Sequence, residues 1–417
     1  MFRAEGSNTI FIYSHYLVSF NSHFINLFML NGNLICNNYS ELFYLNNEKC
    51  CSKRLGANRY ICKKITCMAE QQNTRTELSE LGEFGLIDHL TSGIVAHNDS
   101  TIYGNGDDAA IIDNGSKRTL VSTDLLVESV HFDLSYTPLK HLGYKTAAVN
   151  FSDIAAMNGT PRQLLIGLSV SNRFSVEALD ELYEGIRMAC DRYDVDLVGG
   201  DTTSSVAGLM ISGTVIGDAE PEAVTFRHTA KENDLICVSG DLGGAYMGLL
   251  LLEREKQVYK SNPEMQPDLD GYDYILERQL KPEPRLDIIK LLKEVGVKPT
   301  AMIDISDGLA SEILHICNRS KVGCALYEDK IPIDPSTAIM SVDFNISPVT
   351  AAMNGGEDYE LLFTVDMSDY EALKDLHEIT FIGHIVAESA GANLITKDGI
   401  QIPIVAQGWN HMNQIAD

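Results

Sequence analysis

Five short runs in this 417-residue chain set carboxylates beside glycines or hydroxyls: Gly104-Asn105-Gly106-Asp107-Asp108, Ser122-Thr123-Asp124, Gly199-Gly200-Asp201-Thr202-Thr203, Asp304-Ile305-Ser306-Asp307-Gly308 and Gly355-Gly356-Glu357-Asp358-Tyr359-Glu360. Asp153 adds a further acid, at helical spacing from Leu142 and Val149. A carboxylate on such an apolar stripe is costly if buried alone, so Asp153 is expected to be paired, metal-bound or turned to a cleft. Glycines let backbone N–H groups approach a phosphate closely. Most of these runs end or follow an apolar segment, which suggests that the acids converge in space. A cluster of that kind suits a hard cation with oxygen ligands, usually Mg²⁺, often carrying a polyphosphate. Taken singly, most of the runs also suit an ordinary turn or helix cap. The Gly355–Glu360 run, a glycine pair followed by three acids, is the least ordinary way to start a strand.

Composition narrows the partners. The hydrophobic share of 45% and charged share of 22% are those of a globular protein of two or three domains. A net charge of −26 argues against nucleic acid and anionic membrane as partners. Bound Mg²⁺ inverts the local field, so a phosphorylated substrate stays compatible with an acidic surface. The chain has no G-x-x-x-x-G-K-[ST] P-loop and no H-R-D and D-F-G pair, which excludes Walker-type and protein-kinase sites.

Residues 1–67 differ from the rest. They carry a positive excess and five of the nine cysteines, among them Cys36, Cys50 and Cys62. The apolar stretch from Ile10 to Leu30 is interrupted by polar residues and is too polar for a membrane span. These residues are expected to be a non-native or disordered leader, with the functional chain starting near Met68. Cys190, Cys237, Cys317 and Cys324 sit in apolar patterns and read as buried free thiols, which fits the cytoplasm.

The elements that must position the acids follow in order. An amphipathic helix is expected over Thr76–His89, and strands at Thr101–Tyr103, Ala109–Ile112 and Arg118–Val121. A helix capped by Thr137 with Pro138 at its first position should run to about Met157. A strand over Gln163–Val170, a helix capped by Ser175, and strands at Val195–Val198 and Leu209–Ile216 complete an N-terminal α/β domain over residues 68–218. Ala219–Asn233 reads as a linker carrying Arg227. Residues 219–417 form a second α/β domain, with strands at Leu235–Val238, Ala301–Ile305, Tyr359–Val365 and Phe381–Val386. A polar loop is expected over Lys260–Asp270.

Together these runs, with Val149–Met157, resemble the thiamine-monophosphate kinase family of the aminoimidazole ribonucleotide synthetase-like superfamily, over about Leu81–Gly408. The resemblance implies an α/β (α+β) two-domain fold whose N-terminal sheet forms a barrel across a homodimer. It also implies ATP-dependent phosphorylation of thiamine monophosphate to thiamine diphosphate, by direct transfer with several Mg²⁺ ions. By the same resemblance Asp108, Ser122, Thr123, Asp124, Asp153, Asp201, Asp304 and Asp307 would hold metals. Tyr183, Gly200, Asp201, Arg227 and Ser306 would contact ATP. His131, Glu357 and Trp409 would contact thiamine monophosphate; no residue is assigned as a general base, because the acceptor phosphate is already a nucleophile. The alternatives are another ATP-using enzyme of the superfamily with a different acceptor, and a non-catalytic nucleotide-binding protein.

Overall fold

The computed structural model describes residues 99–103 and 106–406, and the backbone of four strands between His15 and Leu45. Those strands, β1 (His15–Phe20), β2 (His23–Leu30), β3 (Asn33–Asn38) and β4 (Glu41–Leu45), form an antiparallel meander within a unit that ends at Glu77. The expected helix at Thr76–His89 lies outside the described residues, as do Gly104, Asn105 and Trp409.

The second unit, from Leu78 onward, contains two open sheets. The first has six strands in the order β5, β6, β7, β10, β8, β9: β5 (Thr101–Tyr103), β6 (Ala110–Asp113), β7 (Arg118–Val127), β8 (Thr160–Val170), β9 (Asp196–Ser204) and β10 (Met210–Ala219). All its pairings are antiparallel except β8 with β9. Strand β10 shows a half-buried alternation, with Ile211, Val215 and Ala219 inward.

Helix α1 (Leu139–Ala156) crosses this inner face and is buried from Leu142 to Ala156 except at Asp153. A helix buried on all sides belongs between layers. One side of α1 meets β7, β8 and β10, and another meets helix α2 (Val176–Tyr193). Ala155 and Ala156 join the core of the second sheet. The crossing with α2 is close: a Cβ on Gly143 would sit 1.9 Å from the Leu182 carbonyl oxygen, and one on Gly185 1.8 Å from that of Lys140. Glycine is required on both helices for this approach. Helix α1 begins one residue later than expected. Pro138 is its N-cap, since its extended backbone precedes the helix, and no side chain caps the end. Ser175 does cap α2, accepting from the Ala178 N–H.

The second sheet has seven strands in the order β12, β14, β11, β15, β13, β16, β17: β11 (Leu235–Ser239), β12 (Ala301–Asp304), β13 (Val322–Tyr327), β14 (Leu361–Val365), β15 (Ile379–Ala387), β16 (Ala392–Ile395) and β17 (Gln401–Pro403). β12 and β14 are buried along their whole length, which explains their continuous apolar sequence. Around it lie α3 (Gly244–Ser261), α4 (Asp273–Leu280), α5 (Leu286–Glu294), α6 (Leu309–Ser320), α7 (Pro335–Asp343), α8 (Pro348–Asn354) and the short α9 (Tyr370–Leu373).

Residues 220–234 carry no regular element, but Val224, Thr225, Arg227, Ala230 and Asp234 are buried. The expected linker is therefore a packed strap. The loop expected over Lys260–Asp270 begins after Ser261, because α3 runs that far. Cys190, Cys237, Cys317 and Cys324 are buried free thiols. No helix among the described residues is long and apolar enough to cross a membrane.

Candidate active site

Three elements bring acids to one point. On α1, Lys145, Val149 and Asp153 recur every four residues and form a stripe that lines a large cavity. On β7, Ser122 and Asp124 share one face by the two-residue period and both line the same cavity. β12 ends at Asp304 on its rim. Carboxylate oxygens of Asp108, Asp153 and Asp304 come within 4.8 Å of one another. The Ser122 hydroxyl donates to Asp153 Oδ2 at 2.5 Å, and Ser152 Oγ donates to Asp304 Oδ2 at 2.6 Å.

Such crowding raises the carboxyl pKa values. Burial and then the Asp108 charge push Asp304 up to about 7. Burial, with Asp107 adding to it and Arg227 opposing, pushes Asp108 up to about 7 as well. Asp153 is raised well above the usual carboxylate range by burial and then by Asp124, Asp304 and Asp108. One cation is fixed at the edge: Arg227, 7% exposed, reaches Asp108 Oδ1 at 2.6 Å and Asp107 Oδ1 at 3.3 Å. Asp108 Oδ2 is buried with no hydrogen-bond partner. An acceptor-only oxygen left bare among carboxylates suits a hard divalent cation, so the residues present fit Mg²⁺.

The Gly355–Glu360 run is divided by its backbone. Glu357 and Tyr359 adopt positive φ, +69° and +52°, a conformation that costs about 1–2 kcal/mol for residues with a side chain. The turn is held against β12's end: Glu357 N–H donates to the Ser306 carbonyl at 2.7 Å, and Tyr359 N–H to that of Ile305 at 2.9 Å. A Cβ on Gly356 would lie 2.5 Å from the Ser306 carbonyl oxygen, so only glycine fits there. Of the three acids, Glu357 alone lines the cavity. Asp358 accepts from the N–H groups of Gly243 and Ala245 at the start of α3. Glu360 is buried against Arg278, Arg285 and Ser239.

The cavity, of about 1320 Å³, is lined by Asp108, Ser122, Asp124, His131, Asp153 and Arg227, and further by Asp304, Ser306, Asp307 and Glu357. It exceeds the usual ligand pocket and has room for two substrates. Tyr183, Gly200 and Asp201 line a separate pocket of about 510 Å³ along β9. Thr123 points to the opposite face of β7 from Ser122 and Asp124, where its hydroxyl donates to the Gly213 carbonyl at 2.8 Å.

Several site residues were not singled out from the sequence. Lys145 is buried and ion-paired with Glu357. Gln279, on α4, donates to the same carboxylate at 3.1 Å. Glu312, buried on α6, accepts from Asp307 N–H at 3.0 Å and so braces the Ser306-Asp307 turn. A lysine eight residues, about two turns, before Asp153 and so on the same helical stripe is the available signal for Lys145. The partners of Gln279 lie too far away in sequence to give one.

Residues 106–219 match the family model described as AIR synthase related protein, N-terminal domain. The chain is 35% identical to the thiamine-monophosphate kinase of Bacillus subtilis (strain 168) over 337 residues, 79% of this chain and 99% of the relative. It is 34% identical to that of Aquifex aeolicus (strain VF5), covering 80% of this chain and 99% of the relative. Among solved structures, AaThiL complexed with AMPPCP and TMP superposes with a TM-score of 0.70 at 31% identity, covering 81% of this chain and all of that one.

Proposed function

Because the chain belongs to the thiamine-monophosphate kinase family, we propose that its large cavity is where a phosphoryl group passes from ATP to thiamine monophosphate. The protein is a thiamine-phosphate kinase with a two-domain, mixed α/β fold of the AIR synthase type, and its products are ADP and thiamine diphosphate. The observation that carries the site assignment is the meeting of Asp108, Asp153 and Asp304 within 4.8 Å, beside a bare Asp108 oxygen.

Two anionic reactants repel each other, and phosphoryl transfer depends chiefly on in-line positioning and charge neutralisation. In this reading Asp108, Asp153 and Asp304 hold Mg²⁺, with Ser122, Asp124 and Asp307 on the same wall. Bound Mg²⁺ neutralises phosphate charge and orients the phosphates. Ser122 and Ser152 keep two of the carboxylates aimed inward through their hydroxyl donors. Arg227 and Ser306 contact ATP from the strap and the end of β12. A phosphate monoester is already largely ionised at pH 7, so it attacks without a general base. His131 and Glu357 bind the acceptor, and Trp409 belongs to the same group by resemblance.

A homodimer is part of the reading. β9 is an edge strand exposed from Val198 to Ser204, and Leu125 and Met210 are exposed apolar residues of the same sheet. A second copy joined there would close the sheets into a barrel and put Tyr183, Gly200, Asp201 and Thr123 at the interface. The four buried thiols support a cytoplasmic location.

The test is a product assay with purified protein, ATP and thiamine monophosphate, with and without Mg²⁺. Equal amounts of ADP and thiamine diphosphate, formed only with the metal, support the reading. ADP release that needs a different acceptor, or none, overturns it.

A further inference from the structure

We propose that Asp107 is a positioning residue for the phosphoryl transfer: it holds Arg227 by its backbone N–H and by the Nε edge of its guanidinium, and so aims that cation at the ATP phosphates. This rests on the functional reading above and deepens it by saying what fixes the arginine that meets ATP.

Asp107 and Asp108 are adjacent acids in different surroundings. Asp108 lines the cavity and belongs to the aspartate cluster. The Asp107 side chain is 0% exposed and does not line the cavity, so its oxygens are closed to a metal ion and to substrate. They meet N–H groups instead. Oδ2 accepts from the Arg227 backbone N–H at 3.0 Å. Oδ1 accepts from Arg227 Nε at 3.3 Å and from the Asp108 backbone N–H at 3.0 Å. At the other edge of the same guanidinium, Nη2 reaches Asp108 Oδ1 at 2.6 Å. One acid thus holds the root and near edge of the arginine, and its neighbour meets the far edge.

This division has a chemical use. A guanidinium anchored at Nε keeps its Nη donors in a fixed plane, the fork that matches phosphate oxygens. Held by Asp108 alone, Arg227 would compete with a metal ion for that carboxylate. Asp107 gives it an anchor outside the metal cluster. Asparagine cannot do the same, because it has a single acceptor oxygen and sets its NH₂ group against one of the Arg227 N–H groups.

The strap that carries Arg227 is seated without Asp107. The Phe226 carbonyl accepts from Met302 N–H at 3.3 Å, and the Arg227 carbonyl from Ser320 Oγ at 3.3 Å. Thr229 Oγ1 donates to the Thr300 carbonyl at 2.5 Å. Val224 is buried in the core of the first sheet and Ala230 in that of the second. Loss of the Asp107 carboxylate therefore loosens the arginine without releasing the strap.

The experiment measures kcat and KM for ATP and for thiamine monophosphate in the wild type, Asp107→Asn, Arg227→Lys and the double variant. Lysine keeps the charge of Arg227 and lacks its Nε–H edge. Asp107→Asn is expected to lower kcat/KM for ATP by about 30-fold, as when a hydrogen bond to a charged group is lost, with KM for thiamine monophosphate within about twofold of wild type. Arg227→Lys is expected to lower it by about 100-fold, and adding Asp107→Asn to that variant by less than about threefold more, because the edge that Asp107 holds is already gone. The rise in melting temperature on adding Mg²⁺ should persist in Asp107→Asn and be mostly lost in Asp108→Asn. Effects that multiply in the double variant, KM values that rise together for both substrates, or an Mg²⁺ response lost in Asp107→Asn would each overturn the proposal. If Asp107→Asn does not melt cooperatively, Arg227→Met beside Arg227→Lys decides: lysine at most about threefold better than methionine in kcat/KM for ATP supports the hold, and any larger gain overturns it. Absence of thiamine diphosphate in the wild type would instead sink the functional reading itself.

Discussion

Asp153→Asn has opposite consequences for stability and activity. Asp153 lies within 4.8 Å of both Asp108 and Asp304. At an effective dielectric near 20, two unit charges that close repel by about 3 kcal/mol. At about pH 8 the neighbours, with pKa values near 7, are mostly ionised. Burial and its acidic neighbours already hold Asp153 partly protonated, so asparagine relieves only the charge of its ionised fraction, and its amide oxygen still accepts from Ser122. Some charge-assisted hydrogen bonding is lost, worth about 1 kcal/mol. The net expectation in chelator is a variant more stable than wild type by up to about 2 kcal/mol, a rise of at most a few degrees in melting temperature. With saturating Mg²⁺ the order reverses: at a hundred times its dissociation constant a ligand stabilises by about 2.7 kcal/mol, and the variant forfeits most of that. Turnover should fall by about three orders of magnitude, as when a main electrostatic stabiliser is removed. Scanning fluorimetry in chelator and in Mg²⁺, with the product assay beside it, reads all three quantities. A variant that melts lower in chelator, gains as much from Mg²⁺ as wild type and turns over normally would refute the reasoning.

Further outcomes follow from the same structure. Asp108 and Asp304 have folded-state pKa values raised to about 7, so the stability linked to them is fully present below about pH 4 and lost as pH rises through about 7. Without divalent ions the melting temperature should therefore fall across that window, while apparent Mg²⁺ affinity should rise, because binding expels protons; a flat affinity profile contradicts this. Glu360→Gln removes the buried counter-ion that Arg278 and Arg285 share, leaving Arg278 with Asp358 at 3.5 Å and Arg285 with Asp287, and should cost about 3 kcal/mol in urea unfolding. The KM values of its folded fraction should stay unchanged, and a selective rise in KM for either substrate would place Glu360 in the site instead. Gly143→Ala puts a methyl 1.9 Å from the Leu182 carbonyl, and prising α1 from α2 should cost upwards of about 2 kcal/mol by the same measurement.

The sequence announces the site where glycine and acid stand at the end of an apolar run. Asp304 after Ala301–Ile303 is legible because a strand end is where a side chain leaves the core; Asp124 instead stands inside β7, which runs past the expected end at Val121 to Val127, and reaches the cavity by strand alternation. Asp153 is legible because a lone carboxylate on an apolar helical stripe demands an explanation. What stayed hidden depends on contacts distant in sequence. Nothing near Glu360 says that it meets Arg278 and Arg285, so its role in the core could not be told from that of Glu357 in the cavity. The positive φ of Glu357 and Tyr359 breaks the strand alternation that would have sorted the two. The helices α7 and α8 are nine and seven residues long, too short for a periodic pattern to stand out. The 220–234 strap reads as a linker because it has no periodicity, although tertiary packing buries it.

The most direct measurement is anomalous diffraction from crystals of the protein grown with Mn²⁺, a non-hydrolysable ATP analogue and thiamine monophosphate. A manganese peak bonded to oxygens of Asp108, Asp153 and Asp304 is expected, with the two phosphate chains meeting at it. Manganese found only on other acids of this acidic surface, with the three aspartates bare, would contradict it.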